Sequence, residues 1–359
     1  MTTWQEALSQ MLAQAGASEE AIAQALKLTA TVLRKDLSQD HTHPPLDLLT
    51  ADEILGTAWP EPAWVIPGLL PAGLTILAGR PKTGKSWLML QIAQAVAAGG
   101  VALGEEVASG SVLYLALEDP PQRLQSRMRR QRWSMGLPAE FMPLGRFVDQ
   151  LGDLRAGGGE RLARQIRVKR YRLVVIDTLS RAVGGDQSDV SEMTLALSPL
   201  QEMAHAFNCA VVMIDHHRKG FGTNPDAVAD ILGSTAKGAL ADCIWGLYRE
   251  RGKSSAKLAI TGRDVEERVL KLSWDGFLGC WHVEGDAFEL ELTERRQEIL
   301  SALETLGQAR LADIVEAIGQ DKSNTYKRLQ DLVAAGKVRQ LTREEGKRRV
   351  VYYELVSDF

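Results

Sequence analysis

Along the chain the rhythm of apolar and polar positions changes three times. Leu8, Met11, Leu12 and Ala15 recur at three- and four-residue spacing, which predicts helix over 3–36, with Ser18 placed to cap a second run and Glu19 or Glu20 in its first turn. A segment of about 40 residues makes a thin core, so 1–40 is expected to dock on another surface. Pro44, Pro45, Pro60, Pro62, Pro67 and Pro71 then rule out one continuous helix, and 41–72 reads as a proline-rich linker.

From Leu74, short apolar runs alternate with amphipathic helices: LTILA (74–78), SVLYLALE (111–118), YRLVVID (171–177), CAVVMID (209–215), CIWGLYR (243–249) and KLAIT (257–261). Runs that are apolar at nearly every position, not every second one, predict strands buried on both faces. The expectation for 73–288 is therefore α/β, a mostly parallel sheet flanked by helices. Residues 268–283 predict a hairpin turning near Asp275–Gly276. In 289–359, helices over 295–306, 310–318 and 322–335, a turn at Gly319 and two basic strands follow the order of a winged helix–turn–helix.

Composition adds limits. The 359 residues exceed what one compact core usually holds. A net charge of −4 leaves no global basic field, so any nucleic-acid contact must come from a local patch. Cys209, Cys243 and Cys280 lie far apart, without metal-ligand spacing, and read as reduced thiols. The first residues lack a signal-peptide pattern, and no run approaches the ~20 apolar residues of a membrane span. The expectation is a soluble, cytoplasmic protein with no membrane partner.

Chemistry enters at Gly79-Arg80-Pro81-Lys82-Thr83-Gly84-Lys85-Ser86, which fits G-x-x-x-x-G-K-[ST] and is followed by Trp87. Such a loop turns backbone N–H groups toward phosphate oxygens, its lysine reaches the β- and γ-phosphates, and its serine ligates Mg²⁺. A chance glycine-rich match is the plain alternative, but an apolar strand before and an amphipathic helix after count against it. ATP and Mg²⁺ are the ligands expected. Asp177, closing an apolar run, is the second expected metal residue. Glu118 is the candidate to polarise the attacking water. Asp119 competes with it, and either carboxylate could only cap the next helix.

Two further candidates close other runs. His216 is placed to sense the γ-phosphate, with Arg218 and Lys219 beside it as possible DNA-backbone contacts, against a solvated loop. Arg263, just past KLAIT, is placed to act as an arginine finger in a neighbouring subunit, against a salt bridge with Asp264 or Glu266. Arg123, Arg127, Arg129, Arg130 and Arg132 read by default as a solvated helix face or subunit contact. Between 322 and 349, nine basic residues face three acidic ones. Lys322, Asn324, Tyr326, Lys327 and Arg328 would sit on a recognition helix and Lys347 and Arg348 on the wing, for DNA or for a docked protein.

These residues resemble the RecA/DnaB-like ATPases, most closely the RepA-type replicative helicases. The likeness is carried by WVIPGLLPAGLTILAGRPKTGKSWL, LALEDP, VVIDTLSRA, AVVMIDHHRKG and ILGSTAKGALADCIWGLYRE followed by LAITGRD. The resemblance covers Pro60 to about Gly285. It implies a ring-shaped homo-hexamer that moves 5′ to 3′ along single-stranded DNA at the cost of ATP, with a replication initiator or primase as partner. It supports Lys85, Ser86, Glu118, Asp177 and Arg263 in the roles above. The family's His-His-x-x-Lys fits here with His216 as its second His, so Asp215 holds the first position. The lysine that often stands two residues before the finger is Thr261 here. The likeness is silent on 1–40 and on the winged helix. Two readings stay open: a replicative DNA motor, or an oligomeric ATPase switch that regulates, recombines or repairs without unwinding.

Overall fold

The computed structural model describes residues 3–14, 18–27, 48–59, 61–146, 150–184, 189–217, 235–345 and 348–356. It divides into two units, Met1–Glu61 and Pro62–Phe359.

The first unit holds helices Thr3–Gln14, 19–27 and Ala51–Gly56. Ser18 Oγ accepts from the Ala21 N–H at 3.3 Å, as its spacing predicts, and Thr50 and Glu53 form a reciprocal capping box. Every side chain described in this unit is half-buried or exposed, so the described part closes no core of its own. Ala15 and residues 28–36 of the expected helix lie outside the described residues.

The second unit begins with an antiparallel pair, β1 (Trp64–Ile66) and β2 (Leu70–Pro71). Here the structure corrects the linker expected over 41–72. Val65, Ile66, Leu69 and Leu70 are at most 1% exposed, and the Leu69 carbonyl accepts from the Trp245 indole at 3.1 Å. Pro67 and Pro71 fall at the corner and end of this short pair, where a missing N–H costs no ladder bond in a sheet interior.

The remaining strands of this unit's α/β part are β3 (Gly73–Gly79), the small pair β4 (Val101–Ala102) and β5 (Glu105–Glu106), β6 (Val112–Ala116), β7 (Ala139–Pro143), β8 (Leu173–Asp177), β9 (Ala210–His216), β10 (Cys243–Tyr248), β11 (Ser255–Gly262), β12 (Arg268–Asp275) and β13 (Cys280–Asp286). All but β4 and β5 form one sheet in the order β13-β12-β11-β10-β3-β9-β8-β6-β7. From β10 to β7 every pairing is parallel, and β11, β12 and β13 are added antiparallel. β3, β6 and β8 are buried at every position. Leu77, Val112, Val175 and Val212 pack under the helix Lys85–Ala98 on one face. Leu74, Leu113, Val174 and Val211 pack under helices Gly158–Lys169 and Val190–Ala206 on the other. Two covered faces explain the unbroken apolar runs. Burial of this kind stabilises by about 25 cal/mol per Å² of apolar area.

The last helical unit joins the sheet without a linker: β13 ends at Asp286 and helix Ala287–Leu306 begins at the next residue, earlier than the expected 295. β14 (Ala309–Arg310), helix Leu311–Ile318, helix Lys322–Ala334, β15 (Val338–Glu345) and β16 (Arg348–Leu355) complete a winged helix–turn–helix. Gly319 closes the middle helix at φ 63, a left-handed position that suits glycine, and Asp321 caps the next helix through Ser323 and Asn324 N–H. Ile299, Leu303, Ile314, Leu329, Leu332, Val338 and Tyr353 form its core. Among the described residues no helix is long and apolar enough to cross a membrane.

Candidate active site

Because β3, β9, β8 and β6 are neighbours and run parallel, their carboxyl ends form one edge. Gly79 stands opposite His216, and Asp177 opposite Ile214 and Ala116. A cleft of ≈ 580 Å³ opens there, lined by residues 81–87, Glu118, Arg123, Arg127, Asp177, Thr178, Ile214, His216, Arg249 and Trp274. That volume suits a small-molecule ligand, and its position is the usual one for ligands of open α/β sheets.

The loop from Gly79 to Ser86 turns through left-handed positions at Lys82 (φ 66) and Gly84 (φ 103). Such turns direct successive N–H groups into a concave anion nest. Gly84 caps the helix Lys85–Ala98 with no side-chain hydrogen bond, and that helix has no acidic residue in its first turn, so its positive end is left for an anion. Gly84 also has no room for a side chain: a Cβ would stand 2.9 Å from the Trp281 indole. Thr83 Oγ1 donates to the Arg80 carbonyl at 2.9 Å, and Pro81 and Trp87 flank the loop. The Lys85 ammonium donates to the Gly79 and Arg80 carbonyls at 2.7 and 3.0 Å, across the mouth of the nest. Burial lowers its pKa to about 8, against the pull of Asp177, Asp215 and Glu118.

Asp177 is 3% exposed and joined to Thr178 by a cis peptide bond. Its Oδ2 accepts from the Tyr114 hydroxyl at 2.9 Å, and its Oδ1 is buried without a partner. Burial raises its pKa to about 6, opposed by the Ser86 and Tyr114 hydroxyls near it. A buried carboxylate oxygen without a donor beside a serine hydroxyl fits a hard divalent cation, which takes oxygen ligands. Ser86 and Asp177 are the residues that would hold Mg²⁺, whose charge would neutralise that developing on the phosphates.

Glu118 and Asp119 are told apart by their partners. Asp119 is 5% exposed and closed off by Arg127 and by Arg123, the latter at 3.2 Å. Glu118 opens on the cleft, accepting from the Thr178 hydroxyl at 3.1 Å. The expected solvated face of the arginine-rich helix is thus corrected at Arg127, which turns inward and also lies 5.2 Å over the Trp87 ring, whereas Arg123 stays exposed while it pairs with Asp119. Arg249 and Trp274, which no motif in the sequence marks, line the far side, with the Arg249 guanidinium 5.5 Å from the Trp274 ring.

His216 ends β9 beside Gly79, half-buried, with Nδ1 lacking a partner among the described residues. Burial and the Lys85 charge hold its pKa below the usual histidine range, which leaves a neutral ring at pH 7. Asp215 forms a wholly buried ion pair with Lys237 at 2.7 Å. Nothing local in the sequence points to Lys237, because 22 residues separate the partners.

Arg263 is not brought to this edge. β11 runs antiparallel to β10, so Gly262 pairs with Cys243, which pairs with Thr75. Arg263 therefore lies at the opposite edge, and Thr75 to Gly79 alone spans about 13 Å at ~3.3 Å per residue. Its guanidinium meets Asp242 at 3.4 Å and the Ala239 carbonyl at 2.6 Å, not the expected Asp264 or Glu266. Asp242 also accepts from Leu74 N–H at 2.8 Å and faces His205 at 3.0 Å.

On the winged helix, Lys322, Asn324, Tyr326 and Lys327 are exposed on one helix, and Arg328 is half-buried, donating to Gln320 Oε1 at 3.0 Å. Arg218, Lys219 and Lys347, and the side chain of Arg348, lie outside the described residues.

Two family models match this chain, and several solved structures are similar to it. Residues 293–342 match the IclR helix-turn-helix domain. A solved DnaB-like replicative helicase, described with its interactions with primase, is 16% identical at a TM-score of 0.48, over 77% of this chain and 76% of that one. The RadB recombinase is 18% identical at 0.42, over 62% and 92%. A KaiC-like protein from Pyrococcus horikoshii OT3 is 15% identical at 0.41, over 61% and 93%. Residues 40–221, about half of the chain, match the AAA domain family. With the nucleotide nest and its carboxylates inside that match, the chain belongs to the AAA-domain family of P-loop ATPases, and it carries an IclR-type helix–turn–helix toward its carboxyl end.

Proposed function

We propose that this ATPase works as a ring of identical subunits that moves on DNA, a RepA-like 5′–3′ helicase serving replication of a plasmid, phage or other mobile element. Lys85 and the loop N–H groups hold the ATP phosphates, Ser86 and Asp177 hold Mg²⁺, and Glu118 orients the attacking water. His216 reads the γ-phosphate, and Arg263 completes a neighbour's site. The observation that carries the oligomeric reading is the place of Arg263, on the edge of the sheet away from its own nucleotide loop and near the surface. A head-to-tail ring is the arrangement in which such an arginine reaches a nucleotide. Single-stranded DNA would occupy the ring channel, the winged helix would touch duplex, and an initiator or primase would be the partner. A switch without unwinding, acting as a regulator or in recombination or repair, is the second reading. It is favoured by the direct join of β13 to the winged-helix unit. Forked-duplex unwinding with ATP, run beside particle sizing with and without nucleotide, separates them. ATP-dependent strand separation by a ring is expected. Sequence-specific duplex binding without unwinding would leave the switch.

A further inference from the structure

Tyr114 sits within β6, 2% exposed. Its ring stacks on Phe141 at 5.9 Å, and Phe141 meets Trp133 edge-on at 5.5 Å. This aromatic column fixes the direction of the phenol. The hydroxyl lies 2.9 Å from Asp177 Oδ2 and 3.4 Å from the Ser86 carbonyl, so it touches both residues placed at the cation.

Packing alone does not account for the hydroxyl. Phenylalanine would fill the same apolar cluster, and a buried hydroxyl is costly unless it is paired. Its pairing leaves the two oxygens of Asp177 unequal: Oδ2 is occupied, Oδ1 is not. A carboxylate held by one oxygen presents the other in a fixed direction, which is what a partner behind a metal ligand does.

We propose that Tyr114 is a positioning residue for cation binding: it holds Asp177 through Oδ2 so that Oδ1 faces the Mg²⁺ of the bound nucleotide. This role rests on the reading of Asp177 and Ser86 as the Mg²⁺ residues. It is distinct from the catalytic groups, since the phenol acts only through Asp177.

The test is Mg²⁺-dependent binding of a fluorescent, non-hydrolysable ATP analogue to the full chain. In Tyr114→Phe the half-saturating Mg²⁺ concentration should rise roughly 10- to 100-fold, the usual effect of losing such a partner. Affinity in EDTA should stay at the wild-type level, and in hydrolysis assays the Mg²⁺ requirement should rise more than kcat falls. Phe141→Leu, which loosens the column and keeps the hydroxyl, should give a smaller rise. In an Asp177→Asn background, Tyr114→Phe should add nothing further. An unchanged Mg²⁺ requirement, an equal loss in EDTA, or effects that add in the double variant would each overturn the role of Tyr114. Wild-type binding indifferent to Mg²⁺ would instead overturn the cation reading, and this role with it.

Discussion

Replacing Lys237 with methionine tests how the floor of the cleft is held. Asp215 and Lys237 are 1% and 0% exposed at the side chain and 2.7 Å apart. Asp215 Oδ1 also accepts from the His216 N–H at 2.8 Å, so this carboxylate fixes the backbone where β9 meets the site. Methionine keeps most of the volume and removes the charge. A carboxylate without its cation then stays buried, which costs about 3–5 kcal/mol. In a unit of this size each kcal/mol lowers Tm by about 2–4 °C, so a fall on the order of 10 °C is expected. Asp215→Asn in the same chain removes the stranded charge while an oxygen still accepts from His216 N–H, and most of the loss should return. The assay is thermal melting followed by circular dichroism. A fall below about 2 °C in Lys237→Met would refute the reasoning, because it is less than 1 kcal/mol should produce. A double variant no better than the single would show that the charge is not the cause.

What could be seen in the sequence was local or periodic. The loop of residues 79–86 depends on its own glycines, and the strands show because both their faces are covered. The small pair at 64–71 was hidden because its prolines look like those of a linker, while its burial depends on Trp245 and Arg172, more than 100 residues away. The contrast between Glu118 and Asp119 needed Arg123 and Arg127 folded back onto Asp119. Arg263 stands at its own strand's carboxyl end, but strand direction, which periodicity does not reveal, sends it to the opposite edge. Tyr114 reads as one more apolar position in a buried strand. Trp274 and Trp281 belong to a hairpin that only the fold lays against the nucleotide loop, where the Trp281 indole donates to the Gly84 carbonyl at 3.3 Å.

Three further outcomes are expected. Gly84→Ala forces a Cβ to 2.9 Å from Trp281 at a φ of 103, a strain of roughly 1–3 kcal/mol, so nucleotide affinity should fall severalfold in a titration; wild-type affinity would contradict the packing described. Lys85 has a pKa of about 8, so its positive charge is present below that pH and lost above it. Calorimetric nucleotide affinity should therefore weaken as pH rises through 8, and Lys85→Met should bind weakly with no such step. An equal step in that variant would assign the titration to another group. Reversing Lys322 and Lys327 to glutamate should weaken duplex binding and flatten its salt dependence by about one unit of slope for each phosphate no longer neutralised, while an unchanged slope would point to a protein-docking role.

The central claim is that each nucleotide site is completed by the next subunit, and subunit mixing tests it most directly. Arg263→Ala and Glu118→Gln subunits should each hydrolyse ATP far more slowly than wild type, the finger loss alone costing on the order of 10³-fold. Mixed in equal amounts, interfaces that join an intact Glu118 to a neighbour's intact Arg263 should restore about a quarter of wild-type turnover in a randomly assembled head-to-tail ring. Activity that never rises above the two separate variants, at any ratio and with mixed rings demonstrated, would contradict the shared site.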